Sequence, residues 1–441
     1  MGASMAANVS PGTKWRIMIL IFLFYFLGLG FTNQFFNVML RTMQVDMGWD
    51  AAQTTAISTA IYGAMVWFVF VAGAILDKVS VRKIFVLEMI LVGIAFALRG
   101  VAQGFMFWFA LIVVYGVLSA FYIPTVIKLT SLWFDGSQIA LANGILTAGS
   151  PCGQLVANLA GYKIAMAIGG WKVVFIATGI IMIILAVLSW FMIKERRSED
   201  AALKSDILKK EDMTFWRNIA GVLRTPGVWI YSLANACFLG MVYAMMTYQN
   251  FVYQTDPQWA LDPSVSGTIP ASSNMVSMCA YVLVPFVFGK LGIMKHWHIA
   301  AIITAVVAVT SAMFMSWFSY DLGMARAGMA ISGLMYGCCL TAPRVLMLKL
   351  PEVSGPRAGT AQGFYSTVER LGVTIFVAIV GPQVVADPVG SSVVMGEMNM
   401  IMYLHPVLLL IALFVNKKRY GNIHAIITPK AAPAETVAEA K

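Results

Sequence analysis

Residues 171–193 read WKVVFIATGIIMIILAVLSWFMI, and residues 194–225 read KERRSEDAALKSDILKKEDMTFWRNIAGVLRT. The first stretch is apolar except for Lys172 and long enough for one helical crossing of a bilayer, which takes about 20 apolar residues. The second is polar and carries Lys194, Arg196, Arg197, Lys204, Lys209, Lys210, Arg217 and Arg224. An apolar crossing followed by a basic loop is the pattern of a membrane helix re-entering the cytoplasm. It is also the only long polar stretch between apolar windows. Working outward in both directions, windows fall at about 15–38, 53–76, 84–103, 105–132, 138–165 and 171–193 before it, and 227–251, 267–291, 297–318, 323–349, 358–385 and 399–416 after it. The expected fold is an all-α membrane protein of twelve transmembrane helices in two pseudo-symmetric six-helix bundles. Its parts are an N-terminal bundle 1–193, a cytoplasmic linker 194–226, a C-terminal bundle 227–416 and a disordered cytoplasmic tail 417–441.

Composition agrees with the windows. Of 441 residues, 60% are hydrophobic and 11% charged, against roughly a quarter charged in soluble domains. The mean hydropathy is +0.80. A net charge of +10 could suggest nucleic acid, but the basic residues are dispersed through loops, so no nucleic-acid partner is expected. Placing both termini in the cytoplasm collects most Lys and Arg on that side and leaves Asp46, Asp50, Asp256, Asp262, Asp321, Asp387 and Glu397 on the other. The expected location is therefore the cytoplasmic (inner) membrane, crossed many times. The five cysteines all fall in apolar segments, without disulfide or zinc spacing. No metal, cofactor, nucleotide-binding loop or nucleophile elbow is expected, so the chain does not read as an enzyme.

The two halves share features at a constant offset. Pro124 and Pro343, and Gly144 and Gly363, are each 219 residues apart, matching the fourth and fifth helices to the tenth and eleventh. Thr32-Asn-Gln-Phe35 likewise resembles Tyr248-Gln-Asn-Phe251. Such duplication places a substrate site between the halves, near the bilayer midplane.

The run Gly73-Ala-Ile-Leu-Asp77-Lys78-Val-Ser80-Val-Arg82-Lys83 resembles the loop signature of the major facilitator superfamily, with Ser80 where that family usually has Gly. The resemblance extends to Trp171–Phe175 and to Gly149-Ser-Pro151-Cys-Gly153, an incomplete form of the family's bend motif. The family's fourth-helix Arg is absent, Ile112 standing there. Leu223-Arg-Thr-Pro226 and Trp133-Phe134 with Ala142-Asn-Gly144 are similar to the oxalate/formate antiporter and monocarboxylate branch. By ungapped alignment the two cation positions of that branch's oxalate carrier hold Tyr281 and Glu369 here. The resemblance implies a secondary transporter with a cytoplasmic gate formed by Gly73, Asp77, Lys78, Arg82, Lys83 and Arg357.

Asn143, Thr147, Ser150, Gln154 and Asn158 are spaced 4, 3, 4 and 4 apart, on one helical face. They line a cavity or bond neighbouring helices. Shifted by 219, the first three meet Gln362, Ser366 and Glu369. Charges within apolar helices are costly, which singles out Arg99, Lys128, Arg344, Glu369 and Arg370. Lys128 and Arg344 could clamp an anion across the cavity or snorkel to the membrane surface. Glu369 is the candidate proton carrier, or else half of an ion pair with an Arg. It and Arg370 are adjacent and so point about 100° apart. Arg99 and Glu88, near opposite ends of the third helix, read as interfacial. Tyr25, Tyr62, Tyr115, Tyr122, Tyr336 and Tyr365 lie on lining helices, where tyrosines also fill helix interfaces. The expected activity is alternating-access transport of a small organic anion, a carboxylate, with a coupled proton or a counter-transported anion as further partner and a monomeric chain in the lipid bilayer. The alternatives are a carrier of neutral or amphipathic solutes and a non-transporting membrane sensor.

Overall fold

A computed structural model of the chain describes residues 11–133, 136–193, 219–292, 297–316, 321–348, 350–353 and 358–420. Helix α1 runs Pro11–Phe24, widens into a π-helical segment Tyr25–Phe31 and resumes as Thr32–Met47. It is thus longer at its far end than the apolar window suggests. Then follow α2 (Ala51–Lys78), α3 (Val81–Val101), α4 in two pieces (Phe105–Ser119 and Tyr122–Trp133), α5 (Gly136–Ile168) and α6 (Trp171–Met192). Further along the chain come α7 (Pro226–Thr255), one short turn Pro263–Ser266, α8 (Thr268–Lys290), α9 (Trp297–Ser316), α10 (Leu322–Leu348) and α11 (Ala358–Val385). The last rod, α12, comprises Ser391–Met398, a 3-10 turn Asn399–Tyr403 and Leu404–Tyr420. No strand occurs among the described residues. Eight of the described helical stretches are long and apolar enough to cross a membrane. Large apolar side chains such as Trp67, Phe191 and Phe414 face outward on the helices, the surface a bilayer would cover.

The turns are specified locally. Gly48 closes α1 at φ +66°, a left-handed conformation that favours glycine. Asp50 then opens α2 with a reciprocal cap: its Oδ1 accepts from the Gln53 N–H at 2.7 Å, and its own N–H donates to Gln53 Oε1 at 3.2 Å. Ser80, the departure from the family signature, is the N-cap of α3, its Oγ accepting from the Lys83 N–H at 3.5 Å. A hydroxyl thus replaces glycine by stabilising the next helix start.

Packing repeats after six helices. Helix α2 packs on α4 as α8 does on α10, α3 on α6 as α9 on α12, and α1 on α5 as α7 on α11. The contacts joining the two groups repeat as well, α2 against α11 and α5 against α8. These four helices, together with the far part of α1 against α7, form the seam. Close approach within the first group depends on Gly30 and Gly153, where a Cβ on Gly153 would overlap the Phe26 carbonyl oxygen and lie 2.6 Å from the Phe31 nitrogen. Small residues permit such backbone contact between membrane helices.

Candidate functional site

The π-helical segment of α1 shifts the register of its backbone carbonyls. Tyr115 of α4 donates to the Gly28 carbonyl at 2.6 Å, and Thr32 to the Leu27 carbonyl at 2.8 Å. Single π-turns inside helices often occur at functional sites. This one opens at Tyr25, which is buried in the core of the first helix group and packs on Gly149 of α5.

On the other side of the seam, Glu369 and Arg370 of α11 divide as helix geometry requires. Glu369 is buried and accepts from Arg344 Nη2 of α10 at 3.2 Å. The Arg344 guanidinium also lies 5.3 Å from the Tyr365 ring centre. Arg370 points elsewhere, with its guanidinium 5.7 Å from the ring centre of Tyr243 on α7. Tyr243 meets Tyr62 of α2 edge to face at 5.6 Å, and the Tyr62 hydroxyl lies 3.5 Å from Thr247 Oγ1. Among the described residues Arg370 forms no ion pair with a carboxylate. A cation therefore stands at the seam beside Tyr243 of the second helix group, which in turn meets Tyr62 of the first.

The other sequence-derived candidates separate into distinct settings. Gln154 accepts from Asn274 of α8 at 2.8 Å, and Asn158 accepts from Gln34 at 3.0 Å and from Asn250 at 3.3 Å. The far part of the α5 polar line is thus interhelical bonding rather than open lining. Ser150 faces α1 through its backbone carbonyl at Gly30. Gln362 donates to Ser366 within α11 at 3.2 Å. Tyr336 donates to the Met246 sulfur at 3.0 Å, beside Tyr281. Tyr122 is fully buried against Phe24 at 4.6 Å and against Gly28, a packing position in the first group. Arg82 lies over the Trp190 ring at 4.2 Å and donates to the Trp190 carbonyl, tying the α2–α3 turn to the end of α6, while Lys83 is exposed. Gly73 lies in α2, but the side chains of Asp77, Lys78, Lys128, Asn143 and Thr147, and all of Arg357, lie outside the described residues.

Two expectations are corrected. Arg99 and Glu88 are not interfacial: Arg99 is 1% exposed and Glu88 3%. Position along a helix measures depth, but here the face decides, and both side chains turn into the first helix group. The five cysteines are free thiols. Among the described residues no cluster suits a metal ion.

Comparison with known proteins agrees with this architecture. The profile of the Major Facilitator Superfamily matches residues 18–377. A putative tartrate transporter of Agrobacterium vitis is 23% identical over 410 residues, 89% of this chain and 91% of the relative. A hexuronate transporter of Bacillus subtilis (strain 168) is 20% identical over 64% of this chain and 63% of its own. An uncharacterized transporter of Schizosaccharomyces pombe is 26% identical over 42% of this chain, the match spanning only 39% of that relative's length. Among solved structures, a bacterial homolog of the human lysosomal transporter Spinster, inward-facing and unoccupied, superposes with a TM-score of 0.67 at 16% identity, covering 92% of this chain and 96% of that one. With the helical repeat, the seam and a profile match over most of its length, the chain belongs to the Major Facilitator Superfamily, a multi-pass membrane transporter and not an enzyme.

Proposed function

We propose that the chain is a twelve-span secondary transporter that carries a small organic anion, a carboxylate, across the cytoplasmic membrane by alternating access of its two six-helix halves. The observation that carries this reading is Arg370: a guanidinium at the seam, without a carboxylate partner among the described residues, under tyrosines from both halves. The carboxylate next to it, Glu369, is committed to Arg344, which leaves the Arg370 charge available inside the helix bundle, and its planar fork suits a carboxylate. The tartrate and hexuronate carried by two relatives' names are both carboxylates, which supports the same class. Arg344, half-exposed beside Glu369, is the second cation, freed for the anion when Glu369 takes up a proton. The turn from Gly73 to Lys83, with Arg357, is the cytoplasmic gate. The neutral-solute reading draws on the Arg344–Glu369 pair, in which the two charges cancel.

The test is uptake and counterflow of radiolabelled carboxylates in proteoliposomes, with and without a proton gradient. A charge-assisted contact is worth about 1.5–3 kcal/mol, so Arg370→Gln weakens apparent affinity by about tenfold or more. Arg370→Lys recovers part of it. Unchanged affinity in a folded Arg370→Gln protein moves the neutral-solute reading to first place.

A further inference from the structure

Glu88 of α3 plays no part in the seam site. Phe85, Glu88, Val92, Phe96 and Arg99 recur at helical spacing and so share one face of α3. That face is turned inward: Phe85 meets Phe24 of α1 at 5.0 Å, and Phe96 meets Tyr115 of α4 at 5.0 Å. Glu88, between them, is 3% exposed, and neither of its carboxyl oxygens makes a hydrogen bond. Among the described residues it forms no ion pair. The titratable groups of the surrounding apolar core are Tyr25 of α1 and Tyr115 and Tyr122 of α4, and the stretch of α6 packed there, Met182 to Met192, carries none. Tyrosines are uncharged at neutral pH. Arg99 lies about 16 Å further along the helix, and the Lys128 side chain lies outside the described residues.

An ionised carboxylate without counter-charge or hydrogen bond is among the most costly groups to bury, and such a side chain keeps a proton instead. The protonated group then needs one acceptor. Thr125, on the second piece of α4, faces Glu88 with a buried hydroxyl that also lacks a partner, so rotation of either side chain closes the bond. That piece, Tyr122–Trp133, hangs from the first by a turn: Ala120 and Phe121 donate to the carbonyls of Val117 and Leu118, and Pro124 offers no N–H to the Ala120 carbonyl. The joint lets the piece part from α3. Glu88 itself lies about 10 Å along α3 from its first residue, on the side of the bundle that holds the termini. We propose that Glu88 is a proton-binding site of the first helix group, filled while the second piece of α4 lies against α3 and emptied toward the end that holds the termini when that piece swings away. A proton held in one arrangement and lost in the other biases the equilibrium between them. Raising the pH therefore favours the arrangement with the piece swung out. The site stands whether or not Glu369 carries a proton or Arg370 an anion.

Infrared spectra of the full chain, purified in detergent, read the proton directly, because only a protonated carboxyl gives the carbonyl stretch of a carboxylic acid. At neutral pH the unsubstituted chain is expected to show such a band and Glu88→Gln to lose it, in the Glu369→Gln background as well. Glu88→Asp, which keeps the acid on a shorter stem, is expected to shift the band and keeps the test valid should Glu88→Gln fail to fold. A spectrum that neither substitution changes overturns the proposal. So does an acid band that appears only in Lys128→Gln, since Glu88 is then ionised in a pair. In heavy water the band moves as the proton exchanges, and Pro124→Ala, which restores a backbone bond across the joint, is expected to slow that shift. Exchange at the unsubstituted rate in Pro124→Ala overturns release by the α4 piece. Loss of the band in Glu369→Gln but not in Glu88→Gln places the proton at Glu369, which overturns this site and leaves the seam reading standing.

Discussion

Arg344 of α10 donates through Nη2 to Glu369 Oε2 of α11 at 3.2 Å, and the two partners differ in exposure, 39% for the Arg344 side chain against 5% for that of Glu369. The difference makes the pair asymmetric. Removing Arg344 strands a buried carboxylate, whereas removing Glu369 leaves a cation already partly in contact with its surroundings. Arg344→Gln is therefore expected to destabilise more than Glu369→Gln, by about 1–3 kcal/mol, the cost of an unsatisfied buried group. The double variant recovers part of the loss, because a pair removed together leaves nothing unpaired. Thermal unfolding of the four proteins in detergent measures this cycle, and equal losses from the two single variants would reject the asymmetry.

The register of Glu369 and its pairing with some Arg were readable from the sequence, and the identity of that Arg was not. The 219-residue offset placed Glu369 on the interior face of α11, and adjacency alone required Arg370 to point elsewhere. Which arginine would meet Glu369 depends on how α10 and α11 cross, a tertiary fact without a local signal. Arg99 and Glu88 were misread for a related reason. Hydropathy reports where a residue lies along a span but not which side of the helix faces protein, and in an apolar helix both sides look alike. The π-helical widening of α1 was silent, since it contains no proline, whereas the break in α4 at Ala120 has a local signal in Pro124, which has no N–H for the Ala120 carbonyl and crowds it with its ring. The turns, by contrast, follow from Gly48, Asp50 and Ser80 themselves.

The contact of α5 with the π-helical part of α1 leaves no space at Gly153, where a Cβ would lie 2.6 Å from the Phe31 nitrogen and 3.0 Å from Gly30 Cα. Both obstacles are backbone and cannot rotate away. Gly153→Ala is expected to cost about 1–3 kcal/mol, the usual range for overpacking, and to lower the yield of monodisperse protein. Gly363→Ala in α11 is the control, since nothing lies within 4 Å of its added Cβ. A Gly153→Ala protein as stable as that control would show that α1 and α5 separate more easily than the contact implies.

Asp256, just beyond α7, gives a pH dependence with a definite sign. Burial raises its pKa, but hydrogen bonds from the Ser392 hydroxyl and N–H and from the Gln258 and Gly390 N–H groups outweigh burial and hold it below the ordinary carboxylate value. A carboxylate depressed in the fold stabilises it above the unfolded pKa of about 3.9, and that stability is lost as pH falls through the lower folded value. The bonds join the ends of α7 and α12. Ser392→Ala is expected to lower the melting temperature at neutral pH and to lose that deficit progressively below about pH 4. A deficit that stays constant down to the acid limit would mean that Ser392 acts through packing.

Asn158 of α5 joins three helices at the end of the bundle away from the termini. Its Oδ1 accepts from Gln34 of α1 at 3.0 Å and from Asn250 of α7 at 3.3 Å, and these donors occupy matching places in the Thr32–Phe35 and Tyr248–Phe251 stretches. Gly267 packs on the Asn158 carbonyl, and Gln254 of α7 donates across the seam to the Val38 carbonyl at 3.3 Å. The bonds from Asn250 and Gln254 cross between the halves, so this end is held shut in the present conformation. Asn158→Leu removes the shared acceptor and orphans two buried donors, at about 1–3 kcal/mol each, a sum large enough to move a two-state equilibrium by tenfold or more. If the halves rock, the population open at this end must rise. Spin labels on Ala52 and Gln258, exposed residues flanking the far-end turns of the two halves, report it as a distance distribution. In Asn158→Leu the longer-distance fraction is expected to grow at the expense of the shorter one. A distribution identical to that of the unsubstituted chain, in protein that remains folded, would mean that Asn158 serves packing alone and that closure at this end rests on other contacts.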